Sequence, residues 1–254
     1  MAATSKSGHS ILIVNPNTTQ SMTDALKPIV NSLGYNTQNY TYFTAPTGVP
    51  SINSTQDGTI STEACYTPLL TLLETHDAVL IACYSGHPLV PALRTYLSSL
   101  PATTSAVKCR YITGILETSI AACLPLLSQD QKFGIVSTGA QWEGLLNSAV
   151  RGFLGVEAST RFAGTVTTGL NANELHEVSK EDLDRSMKGA VGELLGRGVG
   201  AICLGCAGMA GLEEVVREAC VERLGGEKGR RIMIVDGVAS GVVLLEGVLR
   251  SKLY

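Results

Sequence analysis

Short apolar, β-branched runs alternate along the whole chain with longer segments of helical periodicity. Strands are predicted near 10–15, 37–44, 77–83, 108–113, 132–137, 160–168, 200–206 and 231–235. Helices are predicted near 19–33, 57–76, 87–99, 116–128, 139–153, 181–197, 208–224 and 238–250, and the glycine-rich, charged stretch 225–231 is predicted to be an exposed turn. Such alternation indicates an α/β protein with parallel sheets covered by helices on both faces.

The chain also repeats itself. Three pairs of segments match in the same order at an offset of 122 or 123 residues: 11–15 with 133–137, 78–86 with 200–208, and 113–117 with 236–240. This indicates two homologous, pseudo-symmetric α/β halves, with the active site in the cleft between them. We predict a first half of residues 1–114 plus 237–254 and a second half of residues 115–236, so that helices 116–128 and 238–250 each cross over to the opposite half.

One cysteine ends the repeated strand in each half, Cys83 in the first and Cys206 in the second. A pseudo-two-fold axis would bring both thiols to a shared cleft at the carboxyl ends of the strands. Both precede predicted helices, where the macrodipole and free N–H groups favour a thiolate. Two opposed thiols suit the removal and return of a proton on opposite faces of one carbon, while nearby N–H groups stabilise the enolate. That chemistry needs neither a metal nor a pyridoxal cofactor.

The spacing of the cysteines and histidines also bears on two other kinds of site, a redox pair and a zinc site. Cys203 and Cys206 have C-x-x-C spacing, but a redox pair normally opens a helix, whereas Cys203 lies within a strand pattern. A zinc site needs more ligands, and the four histidines show no paired ligand spacing. His87, four residues after Cys83, is expected either to contact that thiol or to be a surface or capping histidine. The remaining cysteines are expected to be small core residues: Cys65, Cys109, Cys123, Cys203 and Cys220.

Composition and charge limit the classes of partner that we expect for this protein. The chain has 254 residues with 44% hydrophobic and 16% charged residues and a net charge of -3, which gives no electrostatic footprint for nucleic acid or an anionic membrane. The first ten residues lack an apolar signal core, and no apolar run is long enough to span a bilayer. Seven cysteines without an export signal indicate reduced thiols in the cytoplasm. We expect a small-molecule substrate, no nucleic acid and no membrane, and leave a homo-oligomer open.

Several motifs together resemble one known superfamily. They are Ile13-Val-Asn15-Pro-Asn17-Thr18-Thr19 with Met22-Thr23, the turn at Cys83, Gly114-Ile-Leu-Glu117, Val166-Thr-Thr168 and Leu204-Gly-Cys206-Ala-Gly-Met209. From Ile11 to about Leu249 the chain resembles the aspartate/glutamate/hydantoin racemases, and within them the hydantoin/allantoin branch and its fungal relatives.

The resemblance implies cofactor-independent epimerisation of a five-membered ureide ring at a carbon next to a carbonyl. It assigns Cys83 and Cys206 to the two acid–base positions and Asn17 to the substrate-binding loop. Because a ureide is neutral, we expect the cleft to contain few charged side chains. Its lining is expected to consist of Asn17, Thr18, Ser85, Thr118, Ser137, Thr138 and main-chain groups near the cysteines, at Gly205 and Ala207.

Departures from the family pattern bear on the substrate. Amino-acid racemases usually carry Asp-Ser after the first strand and Cys-Thr-His in the second half, whereas this chain has Asn15-Pro-Asn17 and Cys206-Ala-Gly208. Free aspartate or glutamate is therefore disfavoured. After the first cysteine, bacterial hydantoin racemases tend to have an acidic residue, whereas this chain has Tyr84-Ser-Gly-His87, so the exact substrate stays open. A maleate-type cis–trans isomerase and a non-catalytic ligand-binding relative remain alternatives, and two or more basic residues in the cleft would favour a dicarboxylate.

Overall fold

The computed structural model describes residues 8–35, 39–101, 106–172, 174–209 and 211–253, apart from the side chain of His176. Within these ranges the chain forms two parallel four-stranded sheets with flanking helices. The predicted α/β class is therefore confirmed, and each predicted strand corresponds to an observed one. Residues 37 and 38 of the second predicted strand lie outside the described residues.

The first sheet has the strand order β2-β1-β3-β4. Its strands are β1 (Ser10–Asn15), β2 (Asn39–Thr44), β3 (Ala78–Ile81) and β4 (Tyr111–Gly114). The helices between them are α1 (Gln20–Ser32), α2 (Thr55–Leu72) and α3 (Leu89–Ser99). Strands β1 and β3 are completely buried, as expected for central parallel strands covered on both faces.

The second sheet repeats that order as β6-β5-β7-β8. Its strands are β5 (Lys132–Ser137), β6 (Phe162–Thr167), β7 (Val199–Leu204) and β8 (Met233–Asp236). The helices of this part are α4 (Ile115–Cys123), α5 (Trp142–Leu154), α6 (Lys180–Gly196), α7 (Glu213–Leu224) and α8 (Gly226–Arg231), followed by the last helix α9 (Gly237–Ser251). Short 3-10 turns cover Glu174–His176 and Ala207–Met209.

The predicted exposed turn at 225–231 is wrong, because most of this stretch forms α8. Gly225 enters the helix with a positive φ of 84°, a conformation that glycine adopts without strain. At the other end, Arg217 Nη1 donates to the carbonyl oxygens of Gly229, Arg230 and Ile232. A side chain distant in sequence thus satisfies the end of a helix that local sequence alone does not predict.

The crossover helices meet where the two sheets adjoin. Helix α4 follows β4 but packs against β7 and β8, whereas α9 follows β8 and packs against α1, β3 and β4. The first residues of α4 and α9 lie close together, since a Cβ added at Gly237 would lie 3.0 Å from Cβ of Ile115. The division into residues 1–114 plus 237–254 and residues 115–236 stays a prediction.

A buried carboxylate of α9 forms a hydrogen bond to the first sheet. Glu246 is almost fully buried, and its Oε1 accepts a 2.7 Å hydrogen bond from the Tyr40 hydroxyl. Its Oε2 accepts a 3.0 Å hydrogen bond from Nε of Arg250. The pairing offsets the cost of burying the charge. No helix in the described ranges is both long and apolar enough to cross a bilayer.

Candidate active site

The carboxyl ends of both sheets open onto one cavity of about 550 Å³. Its polar wall comes mainly from the loop after β1, and an apolar wall comes from α1, the segment around Ile52 and Trp142. Residues following β3, β5 and β7 complete it. The lining includes Asn15, Asn17, Thr19, Met22, Ile52, Cys83, Thr138, Trp142, Glu177, Gly205, Cys206 and Ala207. The volume is ordinary for a small-molecule site.

Cys83 lies two residues beyond the end of β3 and is half-buried at the cavity wall. Its Sγ is 3.3 Å from Oγ of Ser85. Burial raises the pKa of the Cys83 thiol to about 12, and the nearby Cys206 and Glu117 raise it further, while the Ser85 contact lowers it. With its pKa raised in this way, Cys83 is mainly a thiol in the free protein near neutral pH.

Cys206 occupies the corresponding position two residues beyond the end of β7. The main-chain N–H of Gly208 donates to its Sγ at 3.3 Å. Burial raises the pKa of the Cys206 thiol, and the N–H groups of Gly208 and Met209 act in the opposite direction. The two thiols therefore have the same place in their halves but different neighbours.

Both cysteines precede helices, as predicted, but neither lies at the N-terminus of an α-helix, so the expected stabilisation of a thiolate by a helix does not apply. Helix α3 begins at Leu89, well after Cys83, and only a single 3-10 turn follows Cys206 before α7 begins at Glu213. The macrodipole effect fades within the first turn of a helix, so it does not offset the desolvation of either thiol. Of the expected N–H donors, the main-chain N–H of Gly208 does donate to the sulfur of Cys206.

The loop after β1 is held by two asparagines. Asn15 is buried, and its Nδ2 donates to Oδ1 of Asn17 at 3.0 Å, to Oγ1 of Thr23 at 3.0 Å and to the carbonyl oxygen of Thr19 at 3.1 Å. Its Oδ1 accepts from the main-chain N–H of Asn17 at 3.2 Å. Asn15 is thus fully engaged within the loop, and Asn17 is the asparagine whose amide is left for a ligand.

On the opposite wall, Gly205 and Thr138 come from adjacent strands of the second sheet. Gly205 N–H donates to the carbonyl oxygen of Val136 at 2.7 Å, and Oγ of Ser137 donates to the carbonyl oxygen of Gly205 at 2.8 Å. A Cβ at Gly205 would lie 2.6 Å from Cγ2 of Ile135. Glycine is therefore required where the chain turns towards Cys206.

Most of the residues predicted for the cleft line it. These are Cys83, Cys206, Asn17, Thr138, Gly205 and Ala207. Their roles stay predictions, because geometry alone assigns no chemistry.

Four predicted residues are not part of the lining, which corrects the sequence-based set. The main-chain N–H of Thr18 donates to the carbonyl oxygen of Val49 at 3.0 Å. The hydroxyl of Ser85 contacts the sulfur of Cys83. Ser137 is buried beneath the wall against Gly205. Thr118 is buried in α4, where its hydroxyl donates to the carbonyl oxygen of Gly114 at 3.2 Å. In each case a nearby main-chain group or thiol engages the residue.

Sequence reasoning missed several lining residues. Asn15 was available, since it begins the same loop motif as Asn17, and Trp142 is the only tryptophan of the chain. Ile52 and Glu177 lie in segments without a regular pattern, so only the tertiary structure brings them to the cavity. Glu177 is the sole charged side chain of the described lining, which contains no lysine or arginine.

His87 does not contact Cys83 through any recorded hydrogen bond in the described structure. Its Nδ1 accepts from the N–H of Leu89 at 3.2 Å, which leaves Nε2 to donate to Oγ of Ser61 at 3.3 Å. Ser61 in turn donates to the carbonyl oxygen of Pro16. Burial lowers the pKa of His87 to about 4, so the imidazole is neutral and supports the loop after β1 through Ser61.

The C-x-x-C cysteine Cys203 faces away from Cys206. Its Sγ is 3.4 Å from Sγ of Cys123, and both residues are completely buried. Within the described residues, no group of three His, Cys, Asp or Glu side chains is arranged to hold a metal ion. Cys203 thus lies beside Cys123, so the structure does not support a redox pair of Cys203 with Cys206.

Comparison with known proteins agrees with this architecture. The family model described as Asp/Glu/Hydantoin racemase matches residues 11–245. An uncharacterized protein of Schizosaccharomyces pombe is 34% identical over 253 residues, covering 96% of this chain and 93% of the relative. Protein DCG1 of Saccharomyces cerevisiae is 31% identical over 216 residues, covering 80% of this chain and 84% of the relative.

Solved structures show the same fold. The allantoin racemase from Klebsiella pneumoniae superposes with a TM-score of 0.76 at 22% identity, covering 97% of this chain and 89% of that chain. The glutamate racemase RacE1 from Bacillus anthracis gives 0.63 at 14% identity, covering 97% and 84%. Since the family model spans nearly the whole chain, the protein belongs to the Asp/Glu/hydantoin racemase family and is an isomerase of the racemase class.

Proposed function

We propose that the protein racemises or epimerises a five-membered cyclic ureide of the hydantoin or allantoin type, without a cofactor, through Cys83 and Cys206 as two acid–base groups. One observation carries the proposal: a thiol from each half lines the same cavity, at equivalent positions beyond β3 and β7. The fold shared with allantoin racemases supports the same substrate class.

In this mechanism one cysteine, as thiolate, removes the proton from the ring carbon next to a carbonyl. The electron pair moves onto the carbonyl oxygen as an enolate, and the other cysteine returns a proton to the opposite face. The Nδ2 hydrogens of Asn17 donate to that oxygen as its charge grows, which lowers the barrier. Closing apolar groups around the ring strengthens this interaction, because less water competes for the oxygen.

A neutral substrate also fits the electrostatics. The described lining contains no basic side chain that would neutralise a dicarboxylate, and its single charge is the carboxylate of Glu177. A dicarboxylate such as maleate would have to bury negative charge without a counter-ion, which is costly. A ureide instead presents N–H and C=O groups that neutral side chains and main-chain groups satisfy.

The test is isotope exchange. Purified protein is incubated in deuterated water with single enantiomers of allantoin and of 5-substituted hydantoins. Optical rotation and mass are followed together. We expect rotation to decay while the α-carbon gains one deuterium. If none of the ureides gains deuterium, the proposal is wrong, and a covalent adduct on one cysteine after exposure to maleate would instead identify a cis–trans isomerase.

A further inference from the structure

We propose that the two thiols are unequal: Cys206 is the thiol that ionises more readily, Cys83 is the one that keeps its proton, and the carboxylate of Glu117 is the positioning residue that maintains this difference. The inference rests on the proposed two-cysteine function and deepens it, since it assigns each thiol its starting role.

The surroundings of Cys206 favour negative charge. Its sulfur accepts a hydrogen bond from the main-chain N–H of Gly208 at 3.3 Å, and the N–H of Met209 also acts on it. An N–H donor stabilises a thiolate more than a thiol, because the charged acceptor forms the stronger bond. Main-chain donors are fixed by the 3-10 turn at Ala207–Met209, so this stabilisation is present before a substrate binds.

The surroundings of Cys83 oppose negative charge. Strand β4 pairs with β3 so that Gly114 lies opposite Ile81, which places the start of α4 beside the turn that carries Cys83. Glu117 is the third residue of α4, and its carboxylate turns back over Gly114, where an added Cβ would lie 2.5 Å from Oε2. The carboxylate therefore lies at the same sheet edge as the Cys83 thiol.

Burial raises the pKa of the Glu117 carboxyl above its usual value, while nearby N–H groups and a neighbouring positive charge act in the opposite direction. Its Oε2 is buried and has no hydrogen-bond partner within the described part of the chain. The other charge acting on it is Arg94 of α3, whose Nε is engaged with the carbonyl oxygen of Ile112 at 2.8 Å. Main-chain N–H groups of Gly114 and of Glu117 itself also hold the carboxylate, as in a capping box. When Glu117 is ionised, its negative charge acts on Cys83.

The pKa shifts agree with this arrangement. Burial raises the pKa of both thiols, and at Cys83 the neighbouring Cys206 and Glu117 add to the increase. At Cys206 the groups that act besides burial are N–H donors, which lower its pKa. Ser85 is the one group that lowers the pKa of Cys83, and it is neutral.

The asymmetry sets the order of proton transfer. Once Cys206 has lost its proton to water, its thiolate takes the proton from the ring carbon and the electron pair passes to the carbonyl oxygen. The S–H of Cys83 then gives its proton to the opposite face, leaving a Cys83 thiolate and a Cys206 thiol. The Glu117 carboxylate disfavours this second form. The site regains the Cys83 thiol either by the reverse proton transfer on the other enantiomer or by exchange of protons with water.

Alkylation by iodoacetamide measures this distribution without any substrate. The full-length protein is treated across a pH series, digested, and the modification rate of each cysteine is followed by mass spectrometry. Because the thiolate is the reactive species, the pH midpoint of each rate reports that thiol's ionisation. We expect the midpoint of Cys206 to lie below that of Cys83, and a midpoint of Cys83 equal to or below that of Cys206 would overturn the proposal.

The Glu117→Gln variant tests the assigned cause. Removing the carboxylate should increase the ionised fraction of Cys83 at a given pH by about three- to tenfold, with a smaller effect on Cys206. Glu143→Gln is the matched control, since Glu143 is an exposed carboxylate in the first turn of α5, and it should change neither thiol. An unchanged Cys83 midpoint in Glu117→Gln would refute the role of Glu117.

Should Glu117→Gln not fold, Arg94→Met provides the opposite change. Loss of the cation that faces Glu117 should raise the Cys83 midpoint, whereas a lowered midpoint would contradict the proposal. Different results would disprove the thiol asymmetry and the proposed ureide function. Reversed alkylation order with intact deuterium exchange would exclude the asymmetry alone, and absent exchange would exclude the ureide function whatever the alkylation order.

Discussion

Asn15 donates its side-chain amide to Oδ1 of Asn17 at 3.0 Å, and this contact fixes which end of Asn17 is available to a ligand. The N–H of Thr19 donates to the same oxygen at 2.9 Å, so the acceptor end is saturated. Nδ2 of Asn17 contacts the sulfur of Met22 at 3.2 Å, and a thioether is a weak acceptor. The loop is therefore arranged before binding to offer a donor to a carbonyl oxygen.

Replacing Asn17 with aspartate should remove that donor and place a negative charge against the developing enolate. We expect kcat/KM for the ureide to fall by roughly 10- to 100-fold, the loss of one strong hydrogen bond to a charged group. Asn31→Asp, an exposed site at the end of α1, makes the same chemical change away from the cavity. Steady-state kinetics on both variants check the prediction, and equal losses in the two would contradict it.

The single variants Cys83→Ser and Cys206→Ser should both abolish net racemisation, because a serine hydroxyl is too weak an acid to supply an equivalent base near neutrality. Each should still exchange the α-hydrogen of one enantiomer with deuterated solvent, and the two should prefer opposite enantiomers. Mass spectrometry of separate enantiomers reads this directly. Exchange of the same enantiomer by both variants would disprove the mirrored mechanism.

The separation of the two sulfurs is a second consequence of that mechanism. If both thiols approach one carbon, the sulfurs should lie roughly 6–8 Å apart in a ligand complex. A crystal structure with a bound ureide measures the distance, and a disulfide between the two would argue against it. Cys220→Ala serves as the functional control, since Cys220 is buried in α7 away from the cavity lining and should affect stability more than turnover.

Gly205→Ala should damage the site through backbone position alone. The new Cβ would meet Cγ2 of Ile135 at 2.6 Å and the carbonyl oxygen of Val136 at 2.7 Å, so the chain carrying Cys206 must shift. We expect the free energy of unfolding to fall by about 1–3 kcal/mol and racemisation to fall at least tenfold. Urea denaturation and a racemisation assay measure the two effects.

Gly189→Ala is the matched control for that substitution. Gly189 lies inside α6, and an added Cβ meets no atom within 4 Å. Alanine should therefore raise the free energy of unfolding by about 0.5–1 kcal/mol through helix propensity and leave turnover unchanged. A loss of stability at Gly189 comparable to that at Gly205 would show that close packing is not the cause.

His87 predicts a specific pH dependence of stability. Burial lowers its pKa to about 4 in the folded protein, from an ordinary 6.5. Between those values the unfolded chain binds a proton that the folded protein does not. Stability from this residue is thus complete above about pH 6.5 and is lost as the pH falls towards 4, by an amount of the order of 3 kcal/mol.

The measurement is the free energy of unfolding at several pH values for the natural chain and for His87→Gln. Glutamine retains hydrogen-bonding groups near Ser61 and Leu89 but does not titrate. We expect the variant to show a shallower fall in stability between pH 6.5 and 4 than the natural chain. Parallel curves would mean that His87 is not the group responsible.

The sequence by itself determined the fold class, the approximate position of every strand and the two equivalent cysteines. These features depend on local periodicity and on the internal repeat, both of which are visible without coordinates. It also indicated Asn17 as a ligand-binding residue, because short polar residues at the end of a parallel strand face the same edge as the catalytic candidates.

The tertiary structure alone decided which of the polar residues face the cavity. Ser137 and Thr118 have the right residue type and position along the chain, yet main-chain carbonyl oxygens of Gly205 and Gly114 take their hydroxyls. Periodicity does not report which nearby group satisfies a polar atom.

The same holds for the charge state of the thiols. Sequence suggested helix N-termini that would lower both pKa values, but the final balance between burial, N–H donors and the Glu117 carboxylate depends on strand pairing and on where each helix begins. Desolvation and electrostatic interaction are sums over neighbours in space. For that reason the sequence determined the two cysteines, and only the packed structure decided how they differ.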